Sequence, residues 1–336
     1  MQLPSPIEKI HLRSCNNRNV KLFVKRDDLI HELISGNKWR KLKYNVKQCR
    51  AMKYEGVLTF GGAYSNHLLA TAAACKQEGL ASIGLVRGEE LHSDSNDMLK
   101  QCAELGMQLV FISREDYALR HEKEYHEELV LKFPSTMVVP EGGANYYGMI
   151  GCQEIMSETD NDFDFVFVAQ GTTTTSCGIL LSIPERTKLV AVPVLKGFDA
   201  VGEMRRMFNY SGFPSEIVED LMVQLTIVSD HHFGGYAKYN DELLDRMEQI
   251  FNESNIPLDP IYTGKAFVAM LDFIEANDVH DSKILFVHTG GIAGGKAIER
   301  ETGRRFSLTK DKRQRTTKSI YVPCSRLHVP INPADQ

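Results

Sequence analysis

Four glycine-led stretches of this 336-residue chain carry its chemically useful residues. In Ser35-Gly36-Asn37-Lys38-Trp39-Arg40-Lys41-Leu42, one lysine stands at a Gly-Asn turn where a basic helix begins. Most lysines are solvated surface charges. Here the positive end of a helix, with Arg40 and Lys41 close by, would lower the ammonium pKa and favour the neutral amine, which attacks an aldehyde. In Gly61-Gly62-Ala63-Tyr64-Ser65-Asn66-His67, a Ser-Asn-His run opens an alanine-rich helix, a place suited to a substrate carboxylate. In Gln170-Gly171-Thr172-Thr173-Thr174-Thr175-Ser176-Cys177-Gly178, consecutive N–H groups and five hydroxyls make a phosphate cradle that needs no lysine. The competing reading is a turn with hydroxyl caps. Four threonines in a row are poor helix formers at such a junction unless their polar groups have a partner.

The fourth stretch, Gly290 to Lys296, nearly spells a P-loop, but position 297 is alanine where Ser or Thr would ligate magnesium. No G-x-G-x-x-G occurs, which removes the main support for a nicotinamide enzyme. His231-His232 and the His121/His126 pair lack H-E-x-x-H spacing and read as surface or core histidines, so no metal is expected. Seven scattered cysteines never form a C-x-x-C pair. Reduced thiols in the cytoplasm are expected rather than a disulfide framework or zinc site.

The elements that must position these loops alternate. Short apolar runs at Lys21–Lys25, Val57–Phe60, Ser82–Val86, Gln108–Ile112, Met137–Val139, Phe163–Val168, Lys188–Val192, Gln224–Val228 and Lys283–Val287 predict strands. Helical patterns lie between them: after Gly36, from Ser65 to a stop at Gly79, over Asp94–Glu104, Arg114–Leu131 and Asn240–Asn252. This rhythm implies an α/β protein with parallel sheets covered on both faces. In open parallel sheets ligands gather beyond the carboxyl ends of strands, and four loops leave such ends with unusual composition: 61–67, 141–147, 170–178 and 288–295. A net charge of −5 and pI near 6.1 give no electrostatic reason to expect nucleic acid or an anionic membrane as partner. No run approaches ~18 apolar residues, and the start lacks the basic and apolar regions of a signal peptide.

Taken together, Ser35 to Leu42, Gly61 to His67, the glycine-threonine loop, Asp259-Pro260-Ile261-Tyr262-Thr263-Gly264-Lys265 and His288-Thr289-Gly290-Gly291 resemble one family. It is the aminocyclopropane-carboxylate deaminase / D-cysteine desulfhydrase family of fold-type II, tryptophan-synthase-β-like, pyridoxal-phosphate enzymes. The resemblance runs from about residue 3 to 300. It implies two lobes, each an open twisted mainly parallel sheet with helices on both faces. Residues 1–44 plus 156–303 would form the larger, cofactor-binding domain and 45–155 a smaller inserted one. The basic stretch 304–336 lies outside it and reads as a poorly ordered tail.

The resemblance implies pyridoxal 5'-phosphate as cofactor, Lys38 as the Schiff-base lysine, and the loop Gly171, Thr172, Thr173, Thr174 and Thr175 as holder of its phosphate. Asn66 would lie against the ring oxygen. Tyr64, Ser65, Asn66 and His67 would receive a small amino-acid substrate, with Ser65 near its carboxylate or reacting carbon. Tyr262 would be a second acid–base group, and a homodimer is expected. Two departures separate the branches: the deaminase pattern has Glu at the position of Thr263 and Leu at that of Thr289. A threonine hydroxyl beside the ring nitrogen withdraws fewer electrons than a carboxylate supports, which suits expulsion of a thiolate better than opening of a cyclopropane. Hence β-elimination of D-cysteine leads, with 1-aminocyclopropane-1-carboxylate deamination as alternative and a non-catalytic amino-acid-binding protein as a distant one. Tyr64, where the family usually has Gln, could alter which β-substituted amino acid fits.

Overall fold

The computed structural model describes residues 1–34, 36–160 and 162–307, so Ser35 and the tail from 308 onward lie outside the described residues. Ten strands form: β1 (Ile7–Ile10), β2 (Lys21–Lys25), β3 (Gly56–Gly61), β4 (Ala81–Arg87), β5 (Gln108–Ile112), β6 (Thr136–Val139), β7 (Phe165–Gln170), β8 (Lys188–Pro193), β9 (Leu225–Ile227) and β10 (Lys283–Val287). Twelve helices accompany them: α1 (Asn37–Ala51), α2 (Asn66–Glu78), α3 (Asp97–Glu104), α4 (Arg114–Ala118), α5 (Lys123–Lys132), α6 (Tyr146–Ser157), α7 (Thr174–Leu180), α8 (Ala200–Tyr210), α9 (Ser215–Met222), α10 (Asp241–Ser254), α11 (Thr263–Ala276) and α12 (Ile292–Thr302).

The strands divide into two sheets. One runs β1-β2-β10-β7-β8-β9 and the other β5-β4-β3-β6. Every pairing is parallel except β1 with β2. Helices cover both faces, so central strands must be apolar throughout; all six residues of β3 are buried. In the larger sheet, alternate residues of β7 enter different cores. Phe167 packs with α10 and α11, while Val166 and Val168 pack with α6, α7 and α8 residues.

The helix starts follow from capping chemistry. Ser65 caps α2 by accepting from the Leu68 N–H at 3.4 Å, and Gly79 ends that helix at φ 67, a conformation costly for any residue with a Cβ. Three expectations need correction. The charged helix over Arg114–Leu131 is broken into α4, a tight turn and α5, because Glu122 adopts an extended conformation (φ −82, ψ 134). The strand expected from Phe163 begins at Phe165; Phe163 instead packs edge-on against Phe23 at 5.6 Å. The antiparallel edge strand β1 has only four residues and gave too little pattern to read.

The tail reading also changes at its start. Phe306 is fully buried, its N–H donating to Glu299, and Arg304 pairs with Asp241 and Asp245 on α10. Residues 304–307 therefore continue the larger unit, and burying the Phe306 ring stabilises it by about 2 kcal/mol. The boundaries expected at 44/45 and 155/156 fall inside α1 and α6, which pack on each other, α1 also packing on α2.

Candidate active site

A cleft of about 2670 Å³ opens between the two sheets at their carboxyl ends. Its walls include Lys38, Lys41, Gly62 to His67, Glu141, Gly171 to Thr173, Thr175, Tyr236, Tyr262 and Thr289. The loops that the sequence singled out thus meet in one place.

Lys38 owes its position to the two residues before it. Gly36 has φ 65, and a Cβ there would sit 1.8 Å from the Thr289 carbonyl oxygen, so only glycine lets α1 start against the His288–Gly291 turn. The Asn37 N–H donates to that same oxygen at 3.3 Å, and its side-chain amide donates to Thr175 Oγ1 at 2.8 Å. The first turn of α1 is therefore tied to both neighbouring loops. Below it, Arg40 lies fully buried with its guanidinium on Asp27 (2.7 and 2.8 Å) and on Glu158 (2.8 and 3.0 Å). Buried Lys25 also donates to Glu158 at 2.8 Å. Burial works against the Glu158 carboxylate, but Arg40 and Lys25 hold its pKa down to about 2.

The Lys38 amine has no hydrogen-bond or ion-pair partner among the described residues. Burial and the nearby Lys41 charge push its pKa from 10.5 down to about 7. Arg40, expected to contribute, turns away and is neutralised by its carboxylates, so it plays no part. Lys41 is itself 2% exposed and donates to Thr172 Oγ1 at 3.0 Å; burial lowers its pKa too, and no carboxylate pairs with it among the described residues. Thr173, Thr174 and Thr175 are buried at the start of α7.

On the opposite wall, Ser65 and Asn66 are half-buried, whereas Tyr64 is 74% exposed at the mouth. His67 lines the cleft but is almost fully buried. The Thr59 hydroxyl donates to the Val139 carbonyl, so His67 Nε2 must donate to Thr59 at 2.9 Å, leaving Nδ1 as an unpartnered acceptor. Burial and the two lysines drive the His67 pKa well below its ordinary value, and the ring stays neutral.

The Tyr262 ring packs on Gly171, where a Cβ would come within 2.9 Å of it. Burial, then the neighbouring Tyr236 phenol, raise the Tyr262 pKa well above 10, so its hydroxyl stays protonated. Thr289 lines the cleft, but Thr263 does not. Thr263 is fully buried, and its hydroxyl donates to Asp259 Oδ2 at 2.6 Å while accepting from the Asp259 N–H at 2.9 Å. The Asp259 carboxylate also takes the N–H groups of Ile261, Tyr262 and Thr263. Position 263 thus builds the turn that presents Tyr262 and offers no hydroxyl to a ligand.

Sequence reasoning missed two participants. Tyr236 stands with its ring centroid 6.1 Å from that of Tyr262. Its loop is clamped by Lys265, whose buried ammonium donates to the carbonyls of His232 and Gly235 at 2.8 Å each. Gly234-Gly235-Tyr236 is another glycine-led stretch, and that was the available signal. Glu141, in the loop 141–147 that the sequence picked out, has its carboxylate held by the Tyr117 hydroxyl and Arg120 Nε, both at 2.7 Å. Among the described residues no cluster could hold a metal ion, and no helix is long and apolar enough to cross a membrane.

The model of a pyridoxal-phosphate dependent enzyme family matches residues 2–290. A putative 1-aminocyclopropane-1-carboxylate deaminase of Pyrococcus horikoshii is 32% identical over 81% of this chain and 85% of its own. A bifunctional D-cysteine desulfhydrase/1-aminocyclopropane-1-carboxylate deaminase, mitochondrial, of Arabidopsis thaliana is 29% identical over 87% and 77%. The crystal structure of an ACC deaminase homologue superposes with a TM-score of 0.73 at 27% identity, covering 87% of this chain and 91% of the other. The residues present fit the cofactor. Two lysines without carboxylate partners among the described residues, Lys41 buried and Lys38 half-buried, line the cleft with a mostly buried threonine loop, which is a place for an anionic phosphate, and Lys38 is a low-pKa amine suited to an aldehyde. The chain belongs to the pyridoxal-phosphate dependent enzymes, as a lyase in the group of 1-aminocyclopropane-1-carboxylate deaminase and D-cysteine desulfhydrase.

Proposed function

We propose that this lyase eliminates the β-substituent of D-cysteine, consuming water and releasing sulfide, pyruvate and ammonia. The observation that carries this reading is position 263. No carboxylate stands there, and the hydroxyl that replaces it is spent on Asp259. With little support for a protonated ring nitrogen, the easier expulsion of a thiolate is favoured over ring opening.

Pyridoxal phosphate supplies an aldehyde that condenses with amines and a ring that takes up the electron pair left at the substrate's α-carbon. Lys38 would hold the aldehyde carbon, and Lys41 with Thr172 to Thr175 the phosphate. Lys38 would also remove the substrate's α-proton. An amine with pKa about 7 is neutral often enough at physiological pH to act as that base. Ser65 and Asn66, at the start of α2, receive the substrate carboxylate. The Tyr262 hydroxyl stays protonated and delivers a proton to the departing sulfur, with Tyr236 holding its orientation.

The test is to incubate the holoenzyme with D-cysteine, L-cysteine and 1-aminocyclopropane-1-carboxylate, measuring sulfide, pyruvate and 2-oxobutanoate. Sulfide and pyruvate from D-cysteine support the proposal. Ammonia and 2-oxobutanoate from the cyclopropane, with no sulfide, would overturn it in favour of the deaminase activity named for the Pyrococcus relative.

A further inference from the structure

The cleft is several times larger than the ~300–1,000 Å³ that a small-molecule site needs. Its outer part is charged, and the guanidinium of Arg87, which lines it, has no ion-pair partner among the described residues. Arg87 is the last residue of β4, and the parallel register of Val86 with Gly61 sets it level with Gly62. A Cβ on Gly62 would lie 3.7 Å from Arg87 Nη2, so the guanidinium rests against the loop that leads into Tyr64, Ser65 and Asn66.

The ring of Tyr117 fixes it there. Tyr117 is 3% exposed, packs edge-on against Phe60, and carries Arg87 with its guanidinium carbon 5.6 Å from the ring centroid. Arg120 lies against the same ring at 4.7 Å. The two arginines are not equivalent. Arg120 is neutralised by Glu141 at 2.7 Å, and Glu141 also takes the Tyr117 hydroxyl. Glu90, close by, is held by Arg114. Among the described residues no carboxylate lies within ion-pair distance of Arg87. A planar guanidinium with free donors, facing the cleft while the neighbouring Glu141 and Glu90 are engaged by Arg120 and Arg114, is a receptor for a carboxylate or an equivalent anion.

We infer that Arg87 forms an anion subsite for the far end of the substrate, so that the preferred substrates are β-substituted amino acids whose substituent itself ends in a negative charge. This rests on the lyase reading and specifies its substrate class. For an S-linked substituent the Cβ–S bond breaks with its electron pair leaving on sulfur. The α-proton is lost, sulfur is protonated, and water completes conversion of the rest to pyruvate and ammonium.

A charge-only pair of probes tests it: S-carboxymethylcysteine and S-carbamoylmethylcysteine, each in D and L form, with pyruvate as readout for the holoenzyme. The carboxymethyl compound should be preferred roughly five- to tenfold in kcat/KM, mainly through KM, and the preference should shrink as salt rises. Arg87→Met should bring the ratio to about one, while Arg87→Lys keeps part of it. A ratio near one in the unaltered protein overturns the inference. So does a ratio that survives Arg87→Met, as it would if Arg87 served the α-carboxylate common to both probes. The lyase reading is decided separately by D-cysteine turnover; if no probe gives pyruvate, calorimetric Kd values for the same pair decide the subsite: a preference lost in Arg87→Met supports it, equal affinities overturn it.

Discussion

Replacing Lys38 by methionine should make the cofactor-free protein more stable while abolishing its activity. The amine is half-buried, faces the Lys41 ammonium and has no acceptor among the described residues, which takes its pKa from 10.5 to about 7. At ~1.4 kcal/mol per tenfold change in protonation, the charged form costs about 5 kcal/mol as an upper bound. Partial exposure lets water relax around it, so about 2–3 kcal/mol is the expected gain. The sign follows from linkage. Below pH 7 lysine is charged in both folded and unfolded states and the full penalty applies. Between 7 and 10.5 only the unfolded state binds the proton, so wild-type stability rises with pH and the advantage of Lys38→Met shrinks. Urea unfolding of both apo-proteins at pH 6, 7, 8 and 9 measures that gap. A variant less stable than wild type at pH 6, or a gap that stays constant to pH 9, refutes the reasoning.

Arg40→Met should cost about 3–5 kcal/mol, because it leaves the fully buried Asp27 carboxylate without its partner; a loss below 1 kcal/mol in chemical unfolding contradicts this. Glu158 holds its charge down to about pH 2, so its stabilisation is complete above its ordinary 4.5 and disappears as pH falls through 2, which an acid titration of the folded state reads directly. Gly36→Ala should destabilise by more than about 3 kcal/mol or displace α1, since the new Cβ would overlap the Thr289 oxygen at a left-handed φ. Tyr236→Phe should lower kcat roughly tenfold and bring the alkaline limb of its pH profile to lower pH, because the neighbouring phenol oxygen that helps keep Tyr262 protonated is removed; an unchanged alkaline limb counts against that role.

The glycine-led loops were legible because each departs from what local structure alone would choose. Four consecutive threonines, or a glycine before Asn37 and Lys38, are locally unfavourable and point to a use elsewhere. The alternation of short apolar runs gave the parallel sheets for the same reason that all of β3 is buried: helices cover both faces. What stayed hidden depends on distance in the chain. Arg40 looks like a neighbour that would depress the Lys38 pKa, and only folding reveals that Asp27 and Glu158, 13 and 118 residues away, claim it. Thr263 reads as a ligand to a cofactor ring, yet its hydroxyl closes a loop with Asp259 four residues earlier. Tyr236 acquires meaning from Lys265, which holds its loop from 30 residues further on.

The two kinds of buried cation explain how such a site can fold without its cofactor and still need it. Lys25 and Arg40 are compensated by Asp27 and Glu158, and together they pin α1 to the larger sheet before any ligand arrives. Lys38 and Lys41, on the same helix, face the cleft with no carboxylate between them. Both have depressed pKa values, so the apo site meets much of its electrostatic strain by shedding protons rather than by binding counter-ions. An anionic phosphate reverses that. It favours the ammonium form of Lys41, so cofactor binding should be coupled to proton uptake there and be weaker as pH rises. Because the ligand binds only the folded chain, the stability it adds grows with the ratio of its concentration to Kd. The lysine pair is thus a local defect of the fold whose repair is the driving force for loading the enzyme.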